Sequence, residues 1–127
     1  MTTVVDASAY LDLLLDVIPA KSRGYFDTDL AAPDLLFVEV GAGLARAARR
    51  GLIDDARAQL LVEELLVAPI DIVAGHSLVS RALELRHNLS VYDACYVAVA
   101  EQLGCGLLTA DGRLARAPGI TVAVTLV

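Results

Sequence analysis

Apolar residues along this 127-residue chain follow two patterns, short runs and longer stretches with a helical period. The short runs predict strands at residues 3–6, 31–33, 67–73, 106–109 and 121–127, of which 31–33 also fits a simple connection. The longer stretches predict helices at residues 9–16, 20–27, 35–50, 54–66, 77–87 and 91–103, and a short helical turn at 113–117. This alternation predicts an α/β fold in which a central, mostly parallel sheet is flanked by helices.

Capping residues mark the ends of the two most apolar predicted helices. Asp34 precedes the first of these helices and Gly51 follows it, and Ser90 and Gly104 flank the second in the same way. Asp and Ser side chains accept hydrogen bonds from first-turn N–H groups, and glycine tolerates the left-handed conformation that ends many helices. We therefore expect Asp34 and Ser90 to act as N-caps.

Two glycines, Gly41 and Gly43, interrupt the apolar helix at residues 35–50. They resemble part of a dinucleotide-binding fingerprint. Arg46 occupies its third small position, however, and no strand leads into the helix. We expect both glycines to allow close packing against a neighbouring helix.

The composition fits one folded domain over residues 1–127. Hydrophobic residues make up 57% of the chain and charged residues 20%, which excludes a disordered protein. Cys95 and Cys105 lie among aliphatic residues without metal-binding spacing, so we expect free, buried thiols. The chain begins without a signal-peptide pattern, and no apolar run approaches the ~18 residues needed to cross a membrane. These features predict a cytoplasmic protein with no membrane partner.

Most acidic side chains, Asp12 among them, fit solvated or capping positions, whereas four carboxylates occupy positions that such a role explains poorly. Asp6 and Asp111 each follow an apolar strand, Asp93 opens the helix at residues 91–103, and Glu39 lies in an apolar helix. Because parallel sheets carry their sites at the carboxyl ends of strands, these elements can converge on one edge.

Each of these carboxylates also has a structural interpretation. Asp6 fits a turn at a strand end, Asp111 fits an Asp-Gly turn or an N-cap, and Asp93 fits a capping box with Ser90. Glu39 fits either a buried ion pair with an arginine or a helix face that reaches the solvent. Taken singly, each residue leaves both interpretations open, whereas the placement of all four together favours a shared site.

The overall charge bears on what such a site could hold. Acidic residues outnumber basic ones by 16 to 10, a formal net charge of −6, so broad electrostatic adhesion to nucleic acid is not expected. Clustered carboxylates repel one another, which predicts a cation among them, and all-oxygen ligands select Mg²⁺ or Mn²⁺ over zinc. Such a site fits phosphodiester hydrolysis, and its metal would let an acidic protein hold an anionic backbone.

The sequence around each carboxylate resembles a motif of the PIN-domain nucleases. The matching segments cover essentially the whole chain in order: Val-Val-Asp-Ala-Ser-Ala-Tyr-Leu, Pro-Asp-Leu-Leu-Phe-Val-Glu-Val, Leu-Ser-Val-Tyr-Asp-Ala-Cys-Tyr-Val-Ala-Val-Ala and Leu-Leu-Thr-Ala-Asp-Gly-Arg-Leu. The branch that the chain most resembles is the VapC-like toxins of type II toxin–antitoxin pairs, which are single PIN domains of similar length.

This resemblance implies a PIN-like three-layer fold and a Mg²⁺-dependent endoribonuclease in which Mn²⁺ can substitute. It also implies toxicity through cleavage of tRNA, rRNA or mRNA, a homodimer, and neutralisation by a cognate antitoxin. The metal-binding and catalytic residues it implies are Asp6, Glu39, Asp93 and Asp111. Ser8 and Thr109 match polar positions near that set.

The segment after Asp111 departs from the family pattern. Some members carry a further Asp there, whereas this chain continues Gly112-Arg113-Leu114. The resemblance therefore leaves open whether one or two ions bind.

Basic residues near these motifs are candidates for RNA contact. Arg46 and Arg50 are four residues apart and share a helix face, and Arg113 and Arg116 follow the last motif. Arg49, on a different face, is expected to be solvated.

Other functions fit parts of the sequence. A phosphotransfer receiver domain needs a lysine late in the chain, and the only lysine is Lys21. A glycosidase would need a sugar platform, and aromatic residues make up only 5% of the chain. The alternative that stays open is a catalytically inactive PIN-like binding scaffold, which would have no use for four repelling carboxylates.

Overall fold

Strands and helices alternate along the chain, which the computed structural model describes over all 127 residues. The strands are Thr2–Val5 (β1), Asp29–Pro33 (β2), Ile70–Val73 (β3), Leu107–Thr109 (β4) and Val124–Leu126 (β5). The α-helices are Ala7–Leu14 (α1), Leu35–Arg49 (α2), Asp55–Leu66 (α3), Val79–Glu84 (α4), Val91–Leu103 (α5) and Gly112–Ala115 (α6), with 3₁₀ helices at Ala20–Phe26 and Gly75–Ser77. No helix is both long enough and apolar enough to cross a membrane.

The five strands form one parallel sheet in the order β3-β2-β1-β4-β5. Val4 of β1 pairs with Ala31 of β2 on one side and with Leu107 of β4 on the other. Consecutive strand residues face opposite sides of a sheet, and Val4 and Val5 are both completely buried. Helices therefore cover both faces, and the predicted α/β fold with a central parallel sheet is confirmed.

Helix α5 lies at the centre of the core. Residues 94–100 are all buried, and the helix packs against β1, β2 and β4. A helix that is apolar all round is stable only when it is enclosed. This enclosure fixes the direction of α5 and places its first turn, which carries Asp93, at the edge of the sheet.

The strand order creates a switch point between β1 and β4. From β1 the chain moves to β2 on one side of the sheet, whereas β4 lies on the other side. In open α/β sheets such a point leaves a crevice at the carboxyl ends of the strands. Asp6 and Asp111 follow these two strands, and the Asp6 N–H donates to the Leu108 carbonyl at 3.0 Å.

Several predicted elements differ in extent from the observed ones. The strand predicted at 67–73 begins only at Ile70, because α3 continues to Leu66 and Pro69 has no N–H for a sheet ladder. The helix predicted at 77–87 is divided into a 3₁₀ helix and α4, which ends at Glu84. The strand predicted at 121–127 is shortened to β5.

The two predicted N-caps have different outcomes. Ser90 has an extended backbone, and its hydroxyl accepts from the Asp93 N–H at 3.1 Å. Asp34 has a helical backbone and caps nothing; its Oδ1 accepts instead from the Gly75 N–H at 3.1 Å. The Asp34 prediction is therefore wrong, since this side chain joins the start of α2 to the segment after β3.

The two glycines of α2 also differ. A Cβ added to Gly43 would lie 2.5 Å from Leu11 Cδ2 of α1, whereas a Cβ added to Gly41 would have nothing within 4 Å. Close packing explains Gly43 only. We expect Gly41→Ala to stabilise the protein by about 0.5–1 kcal/mol, the usual gain from removing a helical glycine.

The matched change Gly43→Ala is expected to lack this gain or to destabilise the protein, because Leu11 must move away from the new methyl group. Urea unfolding of both variants in EDTA measures the difference. Equal gains in the two variants would contradict a close approach of α1 to α2 at Gly43.

Candidate active site

A cleft of about 350 Å³ lies at the carboxyl ends of the central strands, and acidic side chains dominate its lining. The structure brings together in it all four carboxylates that the sequence singled out: Asp6, Glu39, Asp93 and Asp111. They come from four separate places, namely the end of β1, the middle of α2, the first turn of α5 and the loop after β4.

Asp6 is the most enclosed of these residues, with 4% of its surface exposed. Its Oδ1 accepts from the Ser8 hydroxyl at 2.7 Å and from the Ala9 N–H at 2.9 Å, and its Oδ2 accepts from the Thr109 hydroxyl. Asp6 is thus also the N-cap of α1. These donors fix its carboxylate at the base of the cleft.

Ser8 and Thr109 tie the two strand ends together. The Ser8 hydroxyl accepts from the Ala110 N–H at 2.9 Å, and the Thr109 hydroxyl accepts from the Asp111 N–H at 3.0 Å. The same hydroxyls donate to Asp6. The loop that carries Asp111 is therefore held in place by the residues that orient Asp6.

Asp93 and Asp111 differ in how far capping explains them. The Asp111 carboxylate accepts from the Arg113 N–H at 2.9 Å and caps α6, as one interpretation of the sequence held. The Asp93 backbone N–H donates to the Ser90 hydroxyl, but the return bond of a capping box, from the Ser90 N–H to the Asp93 carboxylate, is not formed. Its carboxylate lines the cleft instead.

Glu39 is half-buried and bonded to α5. The Tyr96 hydroxyl donates to its Oε1 at 2.7 Å, and Glu39 forms no ion pair. The buried pair with an arginine is therefore wrong. The helix is also less enclosed than its composition indicates, since the neighbouring Val38 is 76% exposed.

The four carboxylates are coupled electrostatically. Burial is the main cause that raises the pKa of Asp6, Glu39 and Asp93, and hydrogen bonds offset it only in part. Repulsion adds to burial: Asp93 raises the pKa of Asp6, both of them raise that of Glu39, and Asp111 raises that of Asp93. A cation in the cleft would relieve this repulsion.

The donor chemistry of the cleft fits a hard divalent cation, because the available ligands are carboxylate and hydroxyl oxygens. The carboxylates surround the cleft and do not meet at one point. No three acidic, histidine or cysteine side chains are placed closely enough to hold one ion. The carboxylates therefore line the cleft without forming a closed set of ligands.

Two residues of the site were not identified from the sequence. Asp12, which the sequence placed on a solvated face, lines the cleft, and burial raises its pKa. Its spacing of four from Ser8 puts both on one face of α1. Tyr96 lies three residues after Asp93 on α5 and also lines the cleft.

The candidate basic residues lie at different distances from the carboxylates. Arg46 lines the cleft and forms no ion pair. Arg113 has a 91% exposed side chain, with its Nε 3.8 Å from Asp111 Oδ1. Arg50 is exposed just beyond α2 and outside the cleft, and Arg116 folds back over the first residue of α6.

Comparison with known proteins identifies close relatives. Residues 3–120 match the model of the PIN domain family. Ribonuclease VapC1 of Mycobacterium tuberculosis is 40% identical over 129 residues, which cover 98% of this chain and 96% of the relative. Ribonuclease VapC9 of the same organism is 43% identical over 115 residues, 87% of each chain.

Solved structures agree with this assignment. PAE2754 from Pyrobaculum aerophilum superposes with a TM-score of 0.69 at 29% identity, over 98% of this chain and 83% of that one. Mycobacterium tuberculosis VapC20, described as a sarcin-ricin loop cleaving toxin, superposes with a TM-score of 0.64 at 19% identity, over 89% and 92% of the two chains, a likeness of fold alone. The chain therefore belongs to the PIN-domain family and, within it, to the VapC branch.

Proposed function

We propose that this protein is an endoribonuclease that depends on Mg²⁺ or Mn²⁺ and acts as the toxin of a toxin–antitoxin pair. The observation that carries the proposal is the coupled set of four carboxylates in one cleft. The names of the VapC relatives, which are ribonucleases, support RNA as the substrate.

In this proposal Asp6, Glu39, Asp93 and Asp111 hold the divalent metal and form the catalytic set. The bound metal supplies Lewis acidity that activates water and stabilises charge on the phosphate. Asp6 contributes a fixed position, because its donors Ser8 and Thr109 prevent rotation of the carboxylate. The other three carboxylates reach the cleft from its sides.

The arginines supply the local positive charge that the acidic chain otherwise lacks. Arg46 is the basic residue of the cleft lining, and its guanidinium is free to bind a backbone phosphate beside the carboxylates. Arg113 lines a second, adjoining cleft with Asn88 and Ser90. We assign Arg113 to the flanking RNA backbone, with Arg50 and Arg116 as outer contacts.

Cleavage of a structured RNA pool tests the proposed activity. The purified protein and its Asp93→Asn variant are incubated with Mg²⁺, with Mn²⁺ and with EDTA. We expect discrete cuts that require metal and are absent from the variant, which controls for a contaminating nuclease. Equal cleavage by both proteins, or none together with no metal-induced rise in melting temperature, would favour the inactive binding scaffold.

We also propose a homodimer and a cognate antitoxin as partners, and the cytoplasm as the place where the toxin meets RNA. Exposed apolar side chains offer contact surface: Val79 and Leu83 are each 53% exposed on α4, and Tyr92 is 66% exposed on α5. Light scattering tests the dimer. Loss of cleavage on addition of the protein encoded beside this one tests the antitoxin.

A further inference from the structure

Tyr96 is a buried polar residue that the proposed chemistry does not use. Only 1% of its surface is exposed, and it is among the largest fully buried side chains of the protein. Its ring lies in the main hydrophobic core. Its hydroxyl emerges at the cleft and donates to Glu39 Oε1 at 2.7 Å.

This hydrogen bond joins the two helices that carry Glu39 and Asp93. Glu39 lies on α2, whereas Tyr96 lies on α5, three residues after Asp93 and on the same helix face. The tyrosine ring is held by the core around it, so its hydroxyl is a rigid anchor. A glutamate side chain has several rotatable bonds, and no other hydrogen bond from the protein restrains it.

We propose that Tyr96 is a positioning residue that fixes the Glu39 carboxylate by engaging Oε1, so that Oε2 would be available to a metal ion in the cleft. The inference rests on the proposed function, since it concerns how one of the proposed metal ligands is oriented. Partners that hydrogen-bond to metal-binding side chains are general devices for this purpose. The competing explanation is a core tyrosine that satisfies its hydroxyl with the nearest acceptor.

Mn²⁺ titration of the full-length protein tests the inference by calorimetry, independently of activity. We expect Tyr96→Phe to weaken Mn²⁺ binding by about 10-fold, the lower end of the usual effect of such partners. The KM for RNA should stay unchanged, since phenylalanine preserves the packing. The matched control is Tyr10→Phe, a change at another buried tyrosine of the core that lies outside the cleft lining.

A second background tests whether Tyr96 acts through Glu39. In a Glu39→Gln protein, with Mn²⁺ raised until that variant binds, the added Tyr96→Phe change should cause no further loss. A further loss of about 10-fold, or an equal loss in Tyr10→Phe, would overturn the inference and leave a packing role.

The outcomes separate this inference from the proposed function. Wild-type protein that binds Mn²⁺ and cleaves RNA, beside a Tyr96→Phe protein with the same Mn²⁺ affinity, overturns the inference alone. Wild-type protein that neither binds Mn²⁺ nor cleaves RNA overturns both. Weakened Mn²⁺ binding in Tyr96→Phe only, with the wild-type KM for RNA, supports it.

Discussion

The Asp93→Asn protein is expected to lose metal-dependent RNA cleavage by at least about 100-fold. Mutation of residues that only hydrogen-bond to metal ligands already lowers metal affinity or activity by about 10–100-fold. The metal-free Asp93→Asn protein should be as stable as the wild type, or more stable. Burial and the charge of Asp111 raise the pKa of Asp93, so the ionised side chain destabilises the folded protein at neutral pH. Asparagine keeps the size and removes the charge.

The position of Asp93 in the first turn of α5 has the opposite effect on stability. A carboxylate in the first turn of a helix gains about 0.3–1 kcal/mol from the helix dipole. Burial and the charge of Asp111 raise the pKa of Asp93 although Ser90 and Arg113 lower it, and we expect burial and repulsion to outweigh the dipole gain as well. Cleavage rates with Mn²⁺ and urea unfolding in EDTA measure the two expected results on the same preparations.

Ser90→Ala is the matched control. The Ser90 hydroxyl caps α5 through the Asp93 N–H, and loss of such a cap costs about 0.5–2 kcal/mol. This variant keeps all four carboxylates, so we expect lower stability in EDTA with metal-dependent cleavage retained. If Asp93→Asn instead loses stability in EDTA and Ser90→Ala does not, Asp93 is the structural cap and the proposed site loses a member.

The sequence predicts the part of the site that depends on strand ends. Asp6 and Asp111 follow runs of apolar residues, and a parallel sheet brings such ends to one edge. The order β2-β1-β4 places these two ends side by side. Asp93 is likewise predictable, because the cap at Ser90 locates the first turn of α5 and the apolar run after it requires burial.

Long-range partners are not predictable in this way. Glu39 was placed on the correct helix, but its partner Tyr96 lies 57 residues away. The carboxylate of Asp34 fits a helix cap locally, yet it accepts from Gly75, 41 residues later. Each residue has an acceptable local alternative, and only tertiary packing decides between that alternative and the distant partner.

Helix periodicity alone also misplaced Asp12. Its charge and its neighbours fit a solvated face, and only the position of α2 across the cleft gives that face of α1 a role in the site. The approach of α2 depends on Gly43, where a larger side chain would meet Leu11. The packing of α1 against α2 thus explains why Asp12 belongs to the cleft.

In EDTA, the free energy of unfolding is expected to fall as the pH rises from about 4 towards 7. In saturating Mn²⁺, it is expected to rise over the same range. Burial and repulsion raise the pKa of Asp6, Glu39 and Asp93, so the folded protein binds these protons more tightly than the unfolded chain. The resulting stabilisation is complete below the unfolded pKa of about 4. This stabilisation is lost as the pH rises through the raised pKa values of the folded protein.

Metal reverses the slope because its ligands must be ionised. At a metal concentration 100-fold above the Kd, binding stabilises the folded state by about 2.7 kcal/mol, and this gain disappears on acidification. Urea unfolding between pH 4 and 7, in EDTA and in Mn²⁺, measures how the free energy of unfolding changes with pH in each case. The reference is the pKa of about 4 that carboxyl groups have in the unfolded chain. The matched Asp93→Asn protein should flatten both slopes.

The two slopes answer different questions. Metal-free stability that rises with pH would mean that the hydrogen bonds from Ser8, Ala9 and Thr109 hold Asp6 as an anion more strongly than burial opposes it. The cleft could then keep its charge without a cation. If Mn²⁺ does not raise the free energy of unfolding at pH 7, no cation relieves the repulsion among the four carboxylates. The basis for metal-dependent cleavage is then lost. Opposite slopes in EDTA and in Mn²⁺ are the result expected if burial and repulsion disfavour the ionised carboxylates and the bound ion favours them.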